Sequence, residues 1–146
     1  MSMDPRIKEL WVAMLRSGIV VQGQGALTKV TPEGKTHCCL GVLCELARFA
    51  GVLTADDVAT YTDVEAETMV QYDGDTYLLP AKVANWAALP FDGIDGEGWP
   101  EALGNGVIGQ LVTMNDGSSI PYEEGEEILE RPHSFDEIAD LIEKDL

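Results

Sequence analysis

The sequence predicts a single α+β domain spanning residues 1–146, in which amphipathic helices pack on a small antiparallel sheet. A chain of 146 residues has the length of one domain with one hydrophobic core. Helical patterns stand at both ends of the chain, and strand and turn signals lie between them without the regular alternation that a parallel sheet requires. Neither an internal repeat nor a linker divides the sequence.

The first predicted element is an amphipathic helix that begins after Asp4. The Asp4 side chain is a favourable cap, and Pro5 suits the first helical position because that residue needs no hydrogen-bonded N–H. Apolar residues then recur at helical spacing before Gly18, namely Ile7, Leu10, Trp11, Met14 and Leu15. This stripe requires a core to cover it.

Short strands and a second helix are predicted next. Residues 19–21 and 26–30 are typical of strands, and the turn 31–34 follows them. The stretch THCCLGVLCEL, residues 36–46, contains all three cysteines and predicts a helix that ends at Gly51.

A hairpin around Asp73 and Gly74 is the strongest strand signal. This pair favours a type I′ turn because both central residues need positive φ. Residues 67–72 and 75–79 flank it as the two predicted strands, and residues 54–62 before them predict a further helical turn.

The second half of the chain alternates polar loops with short apolar segments. Residues 80–89 predict a helix that Pro80 opens, and the glycine-rich residues 90–106 predict an exposed loop. Residues 107–112 predict an apolar strand, and residues 115–133 are acidic and rich in turn residues. The capping box at 134–137 begins a closing amphipathic helix.

The net charge of −17 comes from the later part of the chain, because the first 50 residues are slightly positive. Residues 1–50 carry six basic and four acidic side chains, whereas residues 51–146 carry three basic and 22 acidic ones. Such a field repels phosphates and anionic lipids, so we expect no direct binding of nucleic acid or membrane. The N-terminus has no signal-peptide pattern, and the odd number of clustered cysteines fits a reducing compartment, which predicts a cytoplasmic protein.

The three cysteines suggest a metal site, a nucleophile or core packing. A structural zinc site needs a second ligand pair downstream, and there is none, so the sequence predicts neither a metal nor a cofactor. A thiol near the start of a helix acting with His37 or His133 remains an alternative. The simplest interpretation is a core helix, and Gly41 within it predicts that another element packs closely there.

Two further partial motifs lack the residues that their chemistry needs. Gly34-Lys35-Thr36 is similar to the end of a phosphate-binding loop, but Lys29 stands where the first glycine belongs. The acidic loop 92–98 lacks the ligand spacing of a calcium site because Ile94 occupies the third position.

Several motifs follow one another in a distinctive order: Trp11, CCLGVLCEL at residues 38–46, Tyr72-Asp73-Gly74, Asn115-Asp116 and SFDEIADLIE at residues 134–143. In this order the chain resembles a family of small, mostly uncharacterised proteins found in bacteriophages and some of their bacterial hosts. The resemblance implies no activity and no functional residue. His37 stands where that family usually has an aromatic residue, which weakens the case for a Cys/His catalytic pair.

Charge and resemblance together predict a phage accessory protein that acts non-catalytically in the cytoplasm of a bacterial host, by binding a host protein with a basic surface as an inhibitor or a DNA mimic. Trp11 and Trp86 lie on apolar stripes. Trp99, in an acidic loop, is expected to be exposed as an interface anchor, with folding back onto the domain as the alternative. The candidate partner-binding residues are Asp92, Asp95, Glu97, Trp99, Glu123, Glu124, Glu126 and Glu127.

Two other functions stay open at this point. One is a small hydrolase that depends on a thiol or a carboxylate. The other is a binder that sequesters a small signalling nucleotide, which would need a basic pocket built from Arg16, Lys29, Lys35 or Arg48.

Overall fold

The computed structural model describes residues 3–101, 104–121 and 127–146. Within them the chain forms five α-helices and two antiparallel sheets, which confirms the predicted α+β class. The helices are α1 (Pro5–Arg16), α2 (Cys39–Phe49), α3 (Ala81–Ala87), α4 (Gly106–Asp116) and α5 (Phe135–Asp145), and a 3-10 turn covers Ala55–Asp57. The strands are β1 (Thr28–Thr31), β2 (Gly34–His37), β3 (Val58–Thr62), β4 (Thr68–Tyr72), β5 (Ser118–Pro121) and β6 (Glu127–Glu130). In these ranges, no helix is both long enough and apolar enough to cross a bilayer.

The larger sheet has four antiparallel strands in the order β2-β1-β4-β3, and β5 pairs with β6 separately. In the β1–β2 register, Thr28 lies opposite His37, and both side chains are buried. Val70 and Tyr72 of β4 belong to the hydrophobic core. The sheet therefore carries two polar side chains, Thr28 and His37, into the interior beside Tyr72.

The centre of the core is α2, which contacts α1, α3 and α4. Cys39, Leu43 and Cys44 of this helix are completely buried. The close approach predicted at Gly41 is present, because a Cβ built there would overlap the backbone carbonyl of Leu27. The glycine therefore lets the chain just before β1 pass directly against α2.

Local signals at the helix ends are confirmed. The Asp4 carboxylate accepts the N–H groups of Arg6 and Ile7, at 2.9 and 3.3 Å. At α5, the Ser134 hydroxyl accepts the N–H of Glu137, whose carboxylate accepts the Ser134 N–H in return. These caps satisfy amide groups that have no partner inside the helix.

The hairpin turn is also confirmed, although its second strand is not. Asp73 and Gly74 both have positive φ, as a type I′ turn requires. Residues 75–79 contribute only a single bridge, between Asp75 and Tyr72. In the sheet β4 pairs with β1 and β3, so neither neighbour of β4 is the strand that the sequence predicts at residues 75–79.

The predicted strand at residues 107–112 is wrong, because this segment is part of α4. Its buried residues Val107, Gln110, Leu111 and Met114 recur at helical spacing. The short apolar run is compatible with either structure, and packing against α2 and α5 selects the helix.

Three boundaries also differ from the prediction. Residues 19–21 form no strand and only flank β2, where Gln22 bridges to His37. Thr36 and His37 belong to β2, and α2 begins at Cys39. In residues 54–62 the predicted helical turn covers only Ala55–Asp57, and β3 follows.

The buried face of α1 also differs from the predicted stripe. Leu10 is exposed and Val12 is buried, because the neighbouring α2 and α5 cover that side of the helix.

Candidate functional site

The three thiols are components of the core. Cys38 caps α2, where its sulfur accepts the N–H of Gly41 at 3.3 Å. The Cys39 sulfur donates to the carbonyl of Leu111 at 3.6 Å. Burial raises the pKa of Cys38 to about 12 and also raises the pKa of Cys39 and Cys44. Protonated thiols are poor nucleophiles, even where Cys38 and Cys39 lie at the start of a helix.

We expect iodoacetamide to leave all three cysteines of the native protein unmodified at pH 8, because each thiol is buried and protonated. Intact-mass spectrometry before and after guanidinium denaturation provides the measurement, and the denatured chain should take up three labels. Rapid labelling of one cysteine in the native protein would restore the thiol-enzyme alternative.

Gln110 of α4 holds the acidic loop of residues 92–101 in a defined conformation. This buried amide accepts the N–H of Ile94 at 2.9 Å and donates to the carbonyls of Ile94 and Pro100, at 2.9 and 2.8 Å. One side chain therefore binds two separate points of the loop. Removing it would leave three buried or half-buried backbone groups without a partner.

Trp99 connects the same loop to α5. Its indole N–H donates to the Asp145 carboxylate at 2.6 Å, and the side chain is half-buried. Gly96 lies against the same carboxylate, and Gly98 lies against Leu141. Trp99 is therefore half-buried and not exposed as predicted, because its indole attaches the loop to the domain, and its part in partner binding stays a prediction.

The predicted acidic residues of this loop are presented to solvent. Asp92, Asp95 and Glu97 are exposed, as is Glu101, which lines a shallow depression together with Asp95 and Trp99. We call the carboxylates of Asp92, Asp95, Glu97, Glu101 and Asp145 the anionic face. The sequence does not predict a role for Asp145, because no local pattern relates the end of α5 to a loop residue 46 positions away.

The second predicted acidic segment is described only in part. Glu123, Glu124 and Glu126 lie outside the described residues, and Glu127 is the first residue of β6.

A second feature is an apolar pocket of about 230 Å³ between α1 and α2. Met14 of α1 and Val42, Leu46 and Phe49 of α2 line it, together with residues 19–20. Two polar side chains, His37 and Glu45, complete the lining. The pocket thus combines apolar walls with an imidazole and a carboxylate.

A chain of hydrogen bonds joins those two polar groups through the interior. The Tyr72 hydroxyl donates to Glu45 at 2.8 Å and lies 2.9 Å from the Thr28 hydroxyl. The same Thr28 oxygen lies 2.7 Å from Nδ1 of His37. Arg48 donates two hydrogen bonds to Glu45 from the solvent side, at 2.9 and 3.3 Å.

The number of protons fixes the direction of every bond in this chain. The single Tyr72 proton goes to Glu45, because an ionised carboxylate only accepts. Thr28 must then donate to Tyr72, which leaves its oxygen as the acceptor for Nδ1–H of His37. His37 is therefore the Nδ1–H tautomer, and its Nε2 carries a lone pair.

The charge states agree with this direction. Burial lowers the pKa of His37, although the Glu45 carboxylate opposes the shift, so the ring is neutral near pH 7. Burial alone would raise the pKa of Glu45, but the hydrogen bonds from Arg48 and Tyr72 outweigh it and hold the pKa below its ordinary value.

The basic residues proposed for a nucleotide pocket do not converge. Arg16 binds Asp140 and Glu143 on α5, and Lys29 lies 3.7 Å from Glu67. Arg48 binds Glu45, and Lys35 is exposed on β2. Three of these four cations are therefore already neutralised by a separate carboxylate.

The described parts of the chain bring three potential metal ligands together at Asp63, Glu65 and Glu67. Asp63 already accepts the N–H groups of the other two residues, as expected for a polar turn. The loop 92–98 does not form such a group, although all of its residues are described.

Comparison with known proteins identifies a family and nothing more. Searches of curated proteins and of solved structures each return no match. A family model described as a domain of unknown function, DUF8296, matches residues 3–146, which is nearly the whole chain. The chain therefore belongs to the DUF8296 family.

Proposed function

We propose that this protein is a phage accessory protein that acts in the cytoplasm of the bacterial host by binding a basic surface of a host protein. The anionic face forms the contact, either as an inhibitor that covers a functional surface or as a mimic of DNA phosphates. The observation that carries the proposal is the anchoring of an exposed acidic loop by Gln110 and Trp99.

Anchoring matters because binding is costly when a loop must first become ordered. The loop is tied at Ile94 and Pro100 to α4 and at Trp99 to α5. Its carboxylates are therefore presented without the entropy loss that a free acidic segment would suffer. A merely solubilising acidic segment would not need a buried amide to hold it.

The charge around the loop favours a cationic partner. No lysine or arginine occurs between Lys82 and Arg131, whereas that interval contains ten acidic residues. Such a one-signed region accelerates association with a basic surface and disfavours acidic ones.

The alternative functions have less support. A thiol hydrolase would need at least one accessible thiolate, and all three thiols are buried with raised pKa values. Nucleotide sequestration would need converging cations, and three of the four candidates bind separate acids.

Two variants with the same charge change test the proposal. The face variant carries Asp92→Asn, Asp95→Asn and Glu97→Gln, and the control carries Glu33→Gln, Asp56→Asn and Glu65→Gln. All six side chains are exposed, so both variants should keep the native stability. Tagged wild type and both variants are then used for affinity capture from host lysate.

We expect a stoichiometric basic host protein to be captured by the wild type and by the control variant. The face variant should bind it about tenfold more weakly, and raising the salt from about 50 to 300 mM should release it, because both remove attraction between exposed charges. Equal binding by the two variants, or a complex that is insensitive to salt, would refute a role for the anionic face.

A further inference from the structure

We propose that the pocket between α1 and α2 binds a small, largely apolar ring compound through one N–H or O–H group, which donates to Nε2 of His37. The ligand is thus defined by an apolar body and a single hydrogen-bond donor. Nothing in the family description assigns a ligand to this chain.

The hydrogen-bond acceptor, Nε2 of His37, already has its lone pair in the protein without a ligand. Only 9% of the His37 surface is exposed, and Thr28 occupies Nδ1. The directed chain from His37 through Thr28 and Tyr72 to Glu45 holds the ring as the Nδ1–H tautomer. Nε2 has no hydrogen-bond partner in the described residues, and His37 lines the pocket, so the lone pair is available to a ligand.

The chemistry of the ligand follows from the other walls. Apart from His37 and Glu45, the lining is aliphatic, aromatic or thioether, and Glu45 is already bound by Tyr72 and Arg48. A charged ligand would lose hydration in this pocket without a free counter-ion. An apolar ligand with one donor group would lose little hydration free energy, because it could donate its hydrogen bond to His37.

The entrance is apolar as well. Ile19 and Phe49 line the pocket, yet they are 79% and 76% exposed. The Arg48 guanidinium lies over the Phe49 ring, 5.2 Å from its centroid. Large apolar side chains kept at the opening of a pocket are characteristic of a binding site rather than of a core.

Size limits the ligand to about one or two fused rings. A cavity of about 230 Å³ is smaller than those that hold drug-sized ligands, which begin near 300 Å³. Indole is a suitable probe because it has an apolar bicyclic body and one N–H. Benzothiophene has nearly the same shape and no donor, which makes it the matched control.

The experiment uses NMR of the full-length protein with ¹⁵N-labelled histidine. The chain contains two histidines, so the ring of His37 is readily separated from that of His133. The free protein should show protonated Nδ1 and unprotonated Nε2 at His37. Indole should shift the Nε2 resonance in a saturable manner, and benzothiophene should bind at least about tenfold more weakly, since it has no hydrogen to donate to Nε2.

Two variants keep the proposal falsifiable. Leu46→Trp narrows the pocket from a half-buried position without touching the hydrogen-bond chain, and it should abolish indole binding while leaving the His37 tautomer unchanged. His37→Leu removes the acceptor and should make indole and benzothiophene bind alike.

Three results would overturn the proposal: a His37 ring protonated at Nε2, no saturable shift with millimolar indole, or unchanged indole binding in Leu46→Trp. The outcome is independent of the anionic face, since none of residues 92–101 lines this pocket. Loss of one function in its own variant should therefore leave the other intact.

Discussion

Replacing Gly41 by alanine should destabilise the domain by about 3 kcal/mol, despite the better helix propensity of alanine. The new methyl group would overlap the Leu27 carbonyl, a backbone group that cannot rotate away as a side chain could. To relieve this overlap, α2 would have to move away from the segment that precedes β1. That movement would disturb Thr28, whose hydroxyl is the next atom in contact with the new methyl group.

Gly51→Ala is the matched control, because Gly51 follows the same helix and has open space around it. Its φ of +81° disfavours a side chain, so a loss of about 1 kcal/mol is expected from backbone conformation alone. Urea denaturation followed by circular dichroism measures both variants. A cost for Gly41→Ala no greater than that for Gly51→Ala would show that the two elements are not tightly packed.

Asn115→Leu should destabilise the protein by about 3–4 kcal/mol, although leucine has the same number of side-chain heavy atoms and the same branching. The Asn115 oxygen accepts the N–H of Cys39 at 3.1 Å and the amide of Gln22 at 3.0 Å. Its nitrogen donates to the carbonyl of Gly23 at 2.8 Å and to Asp116 at 2.9 Å. Leucine would leave the buried start of α2 and the Gly23 carbonyl without partners.

Asn85→Leu is the control, since Asn85 is an exposed helical residue for which a change of about 0.5 kcal/mol or less is expected. Asn115→Asp gives a second readout. The new carboxylate would be buried beside Asp116, so its pKa in the folded protein should exceed its pKa in the unfolded chain. The free energy of unfolding of this variant should therefore rise as the pH falls from the folded pKa to the unfolded pKa. Equal unfolding midpoints for Asn115→Leu and Asn85→Leu would contradict the assigned role.

Features whose cause is local can be predicted from this sequence. The helix caps and the hairpin turn depend on residues that are at most four positions apart in the sequence. Their patterns therefore predicted the caps at Asp4 and Ser134 and the turn at Asp73-Gly74. The close approach at Gly41 was predictable for a related reason. A glycine inside an otherwise good helix is unfavourable unless another element needs the space.

Other segments have a pattern that suits two structures. Residues 107–112 satisfy both strand and helix, and only packing against α2 and α5 selects the helix. Trp99 was expected on the surface because its neighbours are polar. Asp145, 46 residues away, provides the partner that brings the indole back onto the domain.

The sequence by itself therefore determined the α+β class, the helix caps, the hairpin turn, the core character of the cysteine helix and the acidic charge. Tertiary structure alone decided that Gln110 anchors the acidic loop and that Thr28 and Tyr72 connect His37 to Glu45. The physical reason is the range of the interactions. Caps and turns depend on near neighbours, whereas a buried polar group must be paired with whatever partner the fold brings to it.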